Sequence, residues 1–185
     1  MREYVLAINP GSTSTKVALF KDTENVLQKN LTHSAEDLAP FNKITDQYAY
    51  RRDMIAAWMA AEGYSVDQLK AVVGRGGLLK PMPSGAYLVT EALMADLRIG
   101  VQGEHASNLG GLIAHSIAEQ GGVPAYIVDP VAVDEFEAVA RISGMPEIKR
   151  RSLVHALNIR AVAFNVAKEL GRPLESLNLV MAHLG

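Results

Sequence analysis

Apolar and polar positions alternate strongly at the start of the chain. Tyr4 to Ile8 is almost wholly apolar and β-prone, and Val17 to Phe20 is apolar again. These runs predict strands at about 3–8 and 15–21, with a third at about 25–33 after the turn Asp22-Thr-Glu-Asn25. The three read as an antiparallel meander. A polar stretch from Ser34 to Asp46 leads to a helix at about 47–62, where Tyr50, Met54, Ala57, Trp58 and Ala61 recur at helical spacing and Gly63 is the stop. Ala71-Val72-Val73 reads as a buried strand running into Gly74-Arg75-Gly76-Gly77, and residues 78–89 as loop with a little extended chain. Thr90 caps a short helix with Glu91 in its first turn. A helix at about 107–120 carries Leu109, Leu112, Ile113 and Ile117 on one stripe and closes at Gly121-Gly122. Pro124 to Val128 is a short strand ending on Asp129-Pro130, and 131–151 is mixed. The longest helix runs about 152–170, capped by Ser152 and ended by Gly171. Its apolar residues go nearly all the way round, which predicts a mostly buried helix. Leu177 to Ala182 is a last strand, ending in His183-Leu184-Gly185.

The order β, β, β, α, β, α, β, α, β joins strands through helices, so those strands should lie parallel with right-handed crossovers. The pattern matches an α/β fold with a mixed five-stranded sheet and flanking helices, a ribonuclease H-like or actin-like domain. Ligands of open α/β sheets sit at the carboxyl ends of the parallel strands. Arg75, Asp129 and His183 each follow a predicted strand, and this convergence predicts one site. The first hairpin turn is placed to overhang the same edge.

That turn is longer than a tight hairpin needs. It holds Asn9, Pro10, Gly11, the four hydroxyl residues Ser12 to Thr15, and Lys16. Read blandly it is a polar loop. Read chemically, Gly11 admits a close ligand, and N–H groups beside hydroxyls and a lysine seat phosphate oxygens. Asn9 could hold a metal-bound water or a phosphate oxygen.

Composition narrows the class. With 185 residues, the prior is about one domain with a good core. A net charge of −2 gives no electrostatic case for nucleic acid or an anionic membrane. The lack of cysteine excludes disulfides and thiolate chemistry and fits a reducing cytoplasm. No apolar stretch is long enough to span a bilayer, and neither a signal pattern nor a repeat is visible.

Four segments, in order, carry a resemblance to a known family. Asn9-Pro-Gly-Ser-Thr-Ser-Thr-Lys16 resembles the N-x-G-S-S/T-S/T-x-K motif of the acetate and butyrate kinases, members of the acetate kinase, sugar kinase, hsp70 and actin superfamily. Glu104-His105-Ala-Ser-Asn108-Leu resembles their H-N-P-A-N-L, and Arg150-Arg151-Ser-Leu-Val-His155 their R-R-Y-G-F-H. His183-Leu184-Gly185 resembles the start of the second phosphate motif, H-L-G-x-G. Val73-Gly-Arg75-Gly-Gly77, with Pro83-Ser-Gly-Ala-Tyr87, is similar to the butyrate or branched-chain acid kinase branch. Acetate kinases place the carboxylate-binding Arg four positions before Gly-Gly; here Arg75 directly precedes it.

The resemblance implies transfer of a phosphoryl group from ATP, with Mg²⁺, to a short-chain fatty acid carboxylate such as butyrate; acetate, propionate and branched-chain acids are the alternative acceptors. It implies Arg75 on the carboxylate, His155 and His183 donating to the transferring group, and Asp129 orienting a donor or a metal-bound water. Asn9, Gly11, Ser12, Thr13, Lys16 and Gly185 would face the phosphates, with Asn9 also reaching the metal through water. The family carries a second actin-like domain, so residues 1–185 are expected to be an N-terminal domain stopping inside the second phosphate motif. The missing C-terminal domain, and further copies in a homo-oligomer, are the expected partners. A non-catalytic actin-like half-domain is the other reading.

Taken singly, several of these residues have plainer roles. A histidine on a buried helix, such as His155, is usually structural; Asp129 before Pro130 is a turn former; Lys16 is a solvated strand residue. His33 and His115 read as structural or surface, Asn108 as lining the cleft, and Tyr50, Met54 and Trp58 as a helix packing face.

Overall fold

The computed structural model describes residues 2–184. The meander forms as expected: β1 (Tyr4–Pro10), β2 (Ser14–Lys21) and β3 (Glu24–Thr32) pair antiparallel. Alternation decides the faces. Leu6 and Ile8 of β1 and Val17 and Leu19 of β2 are buried on one side, while Val5, Ala7 and Ala18 point to a half-exposed opposite side. β4 (Leu69–Arg75) lies parallel beside β1, and β5 (Ala86–Leu88) and β6 (Ala125–Val128) complete the order β3-β2-β1-β4-β6-β5. β6 runs parallel to β4, and β5 is an antiparallel edge strand on β6.

The described residues form five α-helices: α1 (Ala35–Leu38), α2 (Tyr48–Ala61), α3 (Glu91–Ile99), α4 (Asn108–Gly121) and α5 (Ala156–Glu169). Ile55 and Trp58 of α2, Leu97 of α3, and Leu109 and Ile113 of α4 join Leu6, Leu19, Val72 and Ile127 in one core. The predicted helix ends hold where local chemistry fixes them. Thr90 Oγ1 accepts from the Leu93 N–H at 3.3 Å, and Gly63, Gly122 and Gly171 adopt the left-handed backbone that lets a chain leave a helix. The contact of α4 with β4 has no room for side chains: a Cβ on Gly74 would overlap the Gly110 carbonyl, and one on Gly110 would overlap that of Arg75.

Four expectations are corrected. The sheet has six strands rather than five: β5 forms where Pro81, Pro83 and Gly85 hide a short strand in a loop-like composition. Residues 177–182 form no strand and pair with none among the described residues. Ser152 does not cap α5. It is buried and its hydroxyl donates to the Val133 carbonyl at 2.6 Å, and the helix begins after His155. Nor is α5 mostly buried. Only Ala156, Ala163 and Ala167 face inward, while Leu157, Val162, Phe164 and Leu170 remain exposed.

Candidate functional site

Sheet register assembles the site. Ile8 of β1 lies opposite Gly74 of β4, and Gly74 lies opposite Ile127 of β6. The next residues along the carboxyl edge are therefore Asn9, Arg75 and, one step beyond Val128, Asp129. Arg75 Nη1 donates to Asn9 Oδ1 at 3.3 Å across this edge. Asn9, Arg75, Asp129, His155 and His183 all line one cleft of about 420 Å³, whose remaining wall is mostly apolar: Val131, Val154, Ala156, Leu157 and Ala161. A second cleft of about 550 Å³ shares Asn9, Arg75 and Leu157. It runs over the half-exposed sheet face, floored by Ala7, Ala18, Val73 and Val128 and edged by Lys16 and Lys29.

The two histidines are joined although no strand delivers His183. His155 Nδ1 and His183 Nε2 are 2.9 Å apart, with ring centroids at 4.4 Å. His183 Nδ1 is 3.0 Å from Asn158 Oδ1. An amide oxygen only accepts, so His183 carries its proton on Nδ1 and its Nε2 accepts from His155 Nδ1–H. The free edge of His155 is then Nε2, which donates only when the ring is protonated. Burial lowers the His155 pKa, and the charges of His183, Arg75 and His105 lower it further. His105 is held down likewise, by burial and then by Arg75. The cleft thus combines the guanidinium of Arg75 with the ring N–H groups of two histidines, and the surroundings of His155 disfavour added charge.

Asp129 is the anion, and it is occupied. Its backbone is left-handed, at φ 39°. Oδ1 accepts from the Gly85 N–H at 2.8 Å and Oδ2 pairs with Arg160 Nε at 3.3 Å. Turn former and cleft residue are therefore one residue: Asp129 ties β5 to β6 while facing the cleft. Among the described residues no group of three or more His, Asp and Glu side chains is arranged to hold a metal ion.

The opening turn reaches the clefts through its two ends, Asn9 and Lys16. Ser12 and Thr13 are exposed and lie, with Gly11, outside the cleft walls. Gly185 falls outside the described residues. Asn108 is buried rather than cleft-lining. Its Oδ1 accepts from the Leu78 N–H at 2.8 Å, and its amide donates to the Gly103 carbonyl at 3.0 Å, fixing the loop after Arg75. Three participants escaped the sequence reading: Asn158, Arg160 and the buried Arg51 behind the turn. Asn158 had a signal, since it lies three residues after His155 on the same helical face.

No family profile matches the chain. An acetate kinase from Porphyromonas gingivalis superposes with a TM-score of 0.65 over 93% of this chain and 50% of that one, at 15% identity. A propionate kinase from Francisella tularensis gives 0.61 over 92% and 50%, also at 15% identity. The architecture is therefore the actin-like α/β domain of the acetate kinase fold. In sequence the chain is homologous to butyrate kinases from end to end. It is 52% identical over 181 residues, 98% of its length, to butyrate kinase 1 of Clostridium acetobutylicum, and 51% identical over 183 residues to a probable butyrate kinase of Enterococcus faecalis. It spans about half the length of the curated relatives it matches.

Proposed function

We propose that this chain forms the N-terminal, carboxylate-binding half of an ATP-dependent short-chain fatty acid kinase acting as butyrate + ATP ⇌ butyryl phosphate + ADP. The observation that carries the reading is the 420 Å³ cleft in which Arg75, His155 and His183 face a wall of Val131, Val154, Leu157 and Ala161. A guanidinium beside an apolar wall suits a carboxylate with a short alkyl tail. Each added methylene contributes only about 0.8 kcal/mol, so chain-length preference is graded rather than absolute.

The acceptor needs no general base, because a carboxylate is already ionised at neutral pH. What remains is to align two anions and neutralise charge on the transferring group. Arg75, fixed by Asn9, holds the acceptor. Burial, then charge on His183, Arg75 and His105, disfavours a second proton on His155 in the free cleft. Arrival of a polyphosphate reverses that balance, so the ring gains a proton and donates from Nε2 to a phosphoryl oxygen, while His183 and Asn158 hold its plane. The asymmetry favours the charge-laden transition state over the empty site. Mg²⁺ accompanying the nucleotide would supply neutralisation of phosphate charge; Asn9, and Asp129 beside its bonds to the Gly85 N–H and Arg160, would hold it through water. ATP as donor places the reaction in the cytoplasm. The rest of the nucleotide site belongs to a C-terminal domain, and a homo-oligomer is the expected assembly.

The test joins this chain to the remaining half of a butyrate kinase and traps acyl phosphate as hydroxamate, with acetate through hexanoate as acceptors. Product should require ATP, Mg²⁺ and the acid, and Arg75→Lys should raise KM for the acid more than KM for ATP. No product, or preference for a sugar hydroxyl, sinks the reading.

A further inference from the structure

Behind the opening turn lies a charge that the cleft chemistry does not use. Arg51 of α2 is 1% exposed. All five guanidinium N–H groups find acceptors. Nε and Nη2 donate to Gln47 Oε1 at 3.1 and 2.7 Å. Nη1 donates to the Gly11 carbonyl at 2.8 Å and to Thr15 Oγ1 at 3.0 Å, with the Ser14 carbonyl at 3.3 Å. Nη2 also reaches the Ser12 carbonyl at 3.1 Å. Every one of these acceptors is neutral. Among the described residues no carboxylate forms an ion pair with Arg51, and burial disfavours its charge, with Tyr50 opposing only in part. A buried cation without a counter-charge is costly to keep.

The hydrogen bonds also set the direction of the turn. In a trans peptide the carbonyl of one residue and the N–H of the next point opposite ways. With the Gly11 and Ser12 carbonyls drawn onto Arg51, the N–H groups of Ser12 and Thr13 are turned away from it, toward the outer side. Successive outward N–H groups form an anion-binding concavity, here with a full positive charge behind it. His33, whose Nε2 lies 2.9 Å from Thr15 Oγ1, braces the same network from β3's end.

We propose that Arg51 is the positioning residue of the phosphate turn, and that the polyphosphate bound at Ser12 and Thr13 supplies the counter-charge that the protein withholds. This rests on the phosphate-binding reading of the turn. It accounts for the choice of a charged buttress where a neutral one would pack at lower cost, because a neutral buttress would order the turn without drawing an anion to it.

Removing Arg51 would strand the carbonyls it binds and threaten the fold, so the decisive variant leaves it in place. Gln47→Glu puts a carboxylate where Oε1 already accepts two guanidinium bonds, supplying an internal counter-charge without changing shape. The 185-residue chain and this variant are titrated with sodium tripolyphosphate while the Ser12 and Thr13 amide resonances are followed, and thermal midpoints are measured in parallel. The variant should be at least as stable as the parent, yet require roughly tenfold more tripolyphosphate for half the shift. Equal titration midpoints with both chains folded would overturn the role assigned to Arg51 and leave the turn's anion binding standing. No response of either amide in the parent chain would overturn both. Arg51→Lys, which keeps the charge but has three donors for the same acceptors, serves as the second variant. It should weaken binding while retaining the dependence on added salt, and unchanged affinity there would equally count against the proposal.

Discussion

His155 and His105 both feel Arg75, which gives the residue scale its most direct experiment. For each ring burial is the larger cause of the lowered pKa and the guanidinium adds to it. Removing the cation in Arg75→Ala should therefore raise both pKa values, read from imidazole C–H shifts against pH, with neither reaching a carboxylate-paired level. Values that stay put would mean Arg75 does not share their cleft. His33 gives a stability experiment. Burial, then the charge of Arg51, pushes its pKa down to about 4 from an ordinary 6.5. A histidine depressed on folding leaves stability intact while both states are neutral, above about pH 6.5. As pH falls toward 4 the unfolded chain takes up a proton that the native one refuses, so stability is lost across that window. At about 1.4 kcal/mol per pKa unit, the loss between pH 7 and about pH 4.5 is roughly 2 kcal/mol. Urea unfolding of the parent and of His33→Gln at both pH values isolates it: the variant should lack that share of the decline, and parallel curves would contradict the assignment.

Elements meet most tightly where β4 crosses α4. Gly74 and Gly110 face each other with no space for a Cβ, whereas a Cβ on Gly144 would meet nothing within 4 Å. Gly110→Ala should cost about 1–3 kcal/mol by overpacking and, through the Arg75 carbonyl it would strike, disturb the Arg75–Asn9 contact. Gly144→Ala should be near neutral in the same denaturant series. This crossing was only half visible beforehand. The glycines at 74, 76 and 77 stood out in the sequence, but what they touch depends on how helix and strand cross. The meander, α2, α3, α4 and β6 were legible because each pairs a clear period with a chemical stop: Thr90 before α3, Gly122 after α4, Gly63 after α2. β5 was not legible, since three residues among prolines and glycines have no period to read. The site was legible in part: of the three expected strand ends, Arg75 and Asp129 lie at the carboxyl edge, where the register also puts Asn9, while His183 lines the cleft with no strand before it. Its second layer was not, because Asn158 on His183, Arg160 on Asp129 and Arg51 on the turn are contacts between segments that no local pattern records.

Across the whole molecule the unevenly packed part is α5. Apolar residues going nearly all the way round predicted burial, yet this helix turns Ala156, Ala163 and Ala167 inward and most of its large apolar side chains outward: Phe164 is 52% exposed and Leu170 56%, against 0% for Leu109 and Ile113 of α4. Periodicity reports which positions are apolar, and it cannot say which of two apolar sides a neighbour will cover. The consequence is an unequal distribution of stability over the chain. A large apolar side chain contributes to folding only the area it removes from water, so Phe164→Gln should shift the urea midpoint little, within about 0.5 kcal/mol. Leu109→Ala in the core should cost about 2–5 kcal/mol. Amides of α5 should likewise exchange with solvent through local opening well below the global free energy, while those of α4 exchange only on global unfolding. Because His155 immediately precedes α5 and Asn158 lies in its first turn, the same looseness reaches the histidine pair. The His155–His183 contact should therefore be the first part of the cleft to lose protection as denaturant rises, before the Arg75–Asn9 edge that the sheet register holds. Protection that vanished together at both places would show α5 to be part of the cooperative core after all.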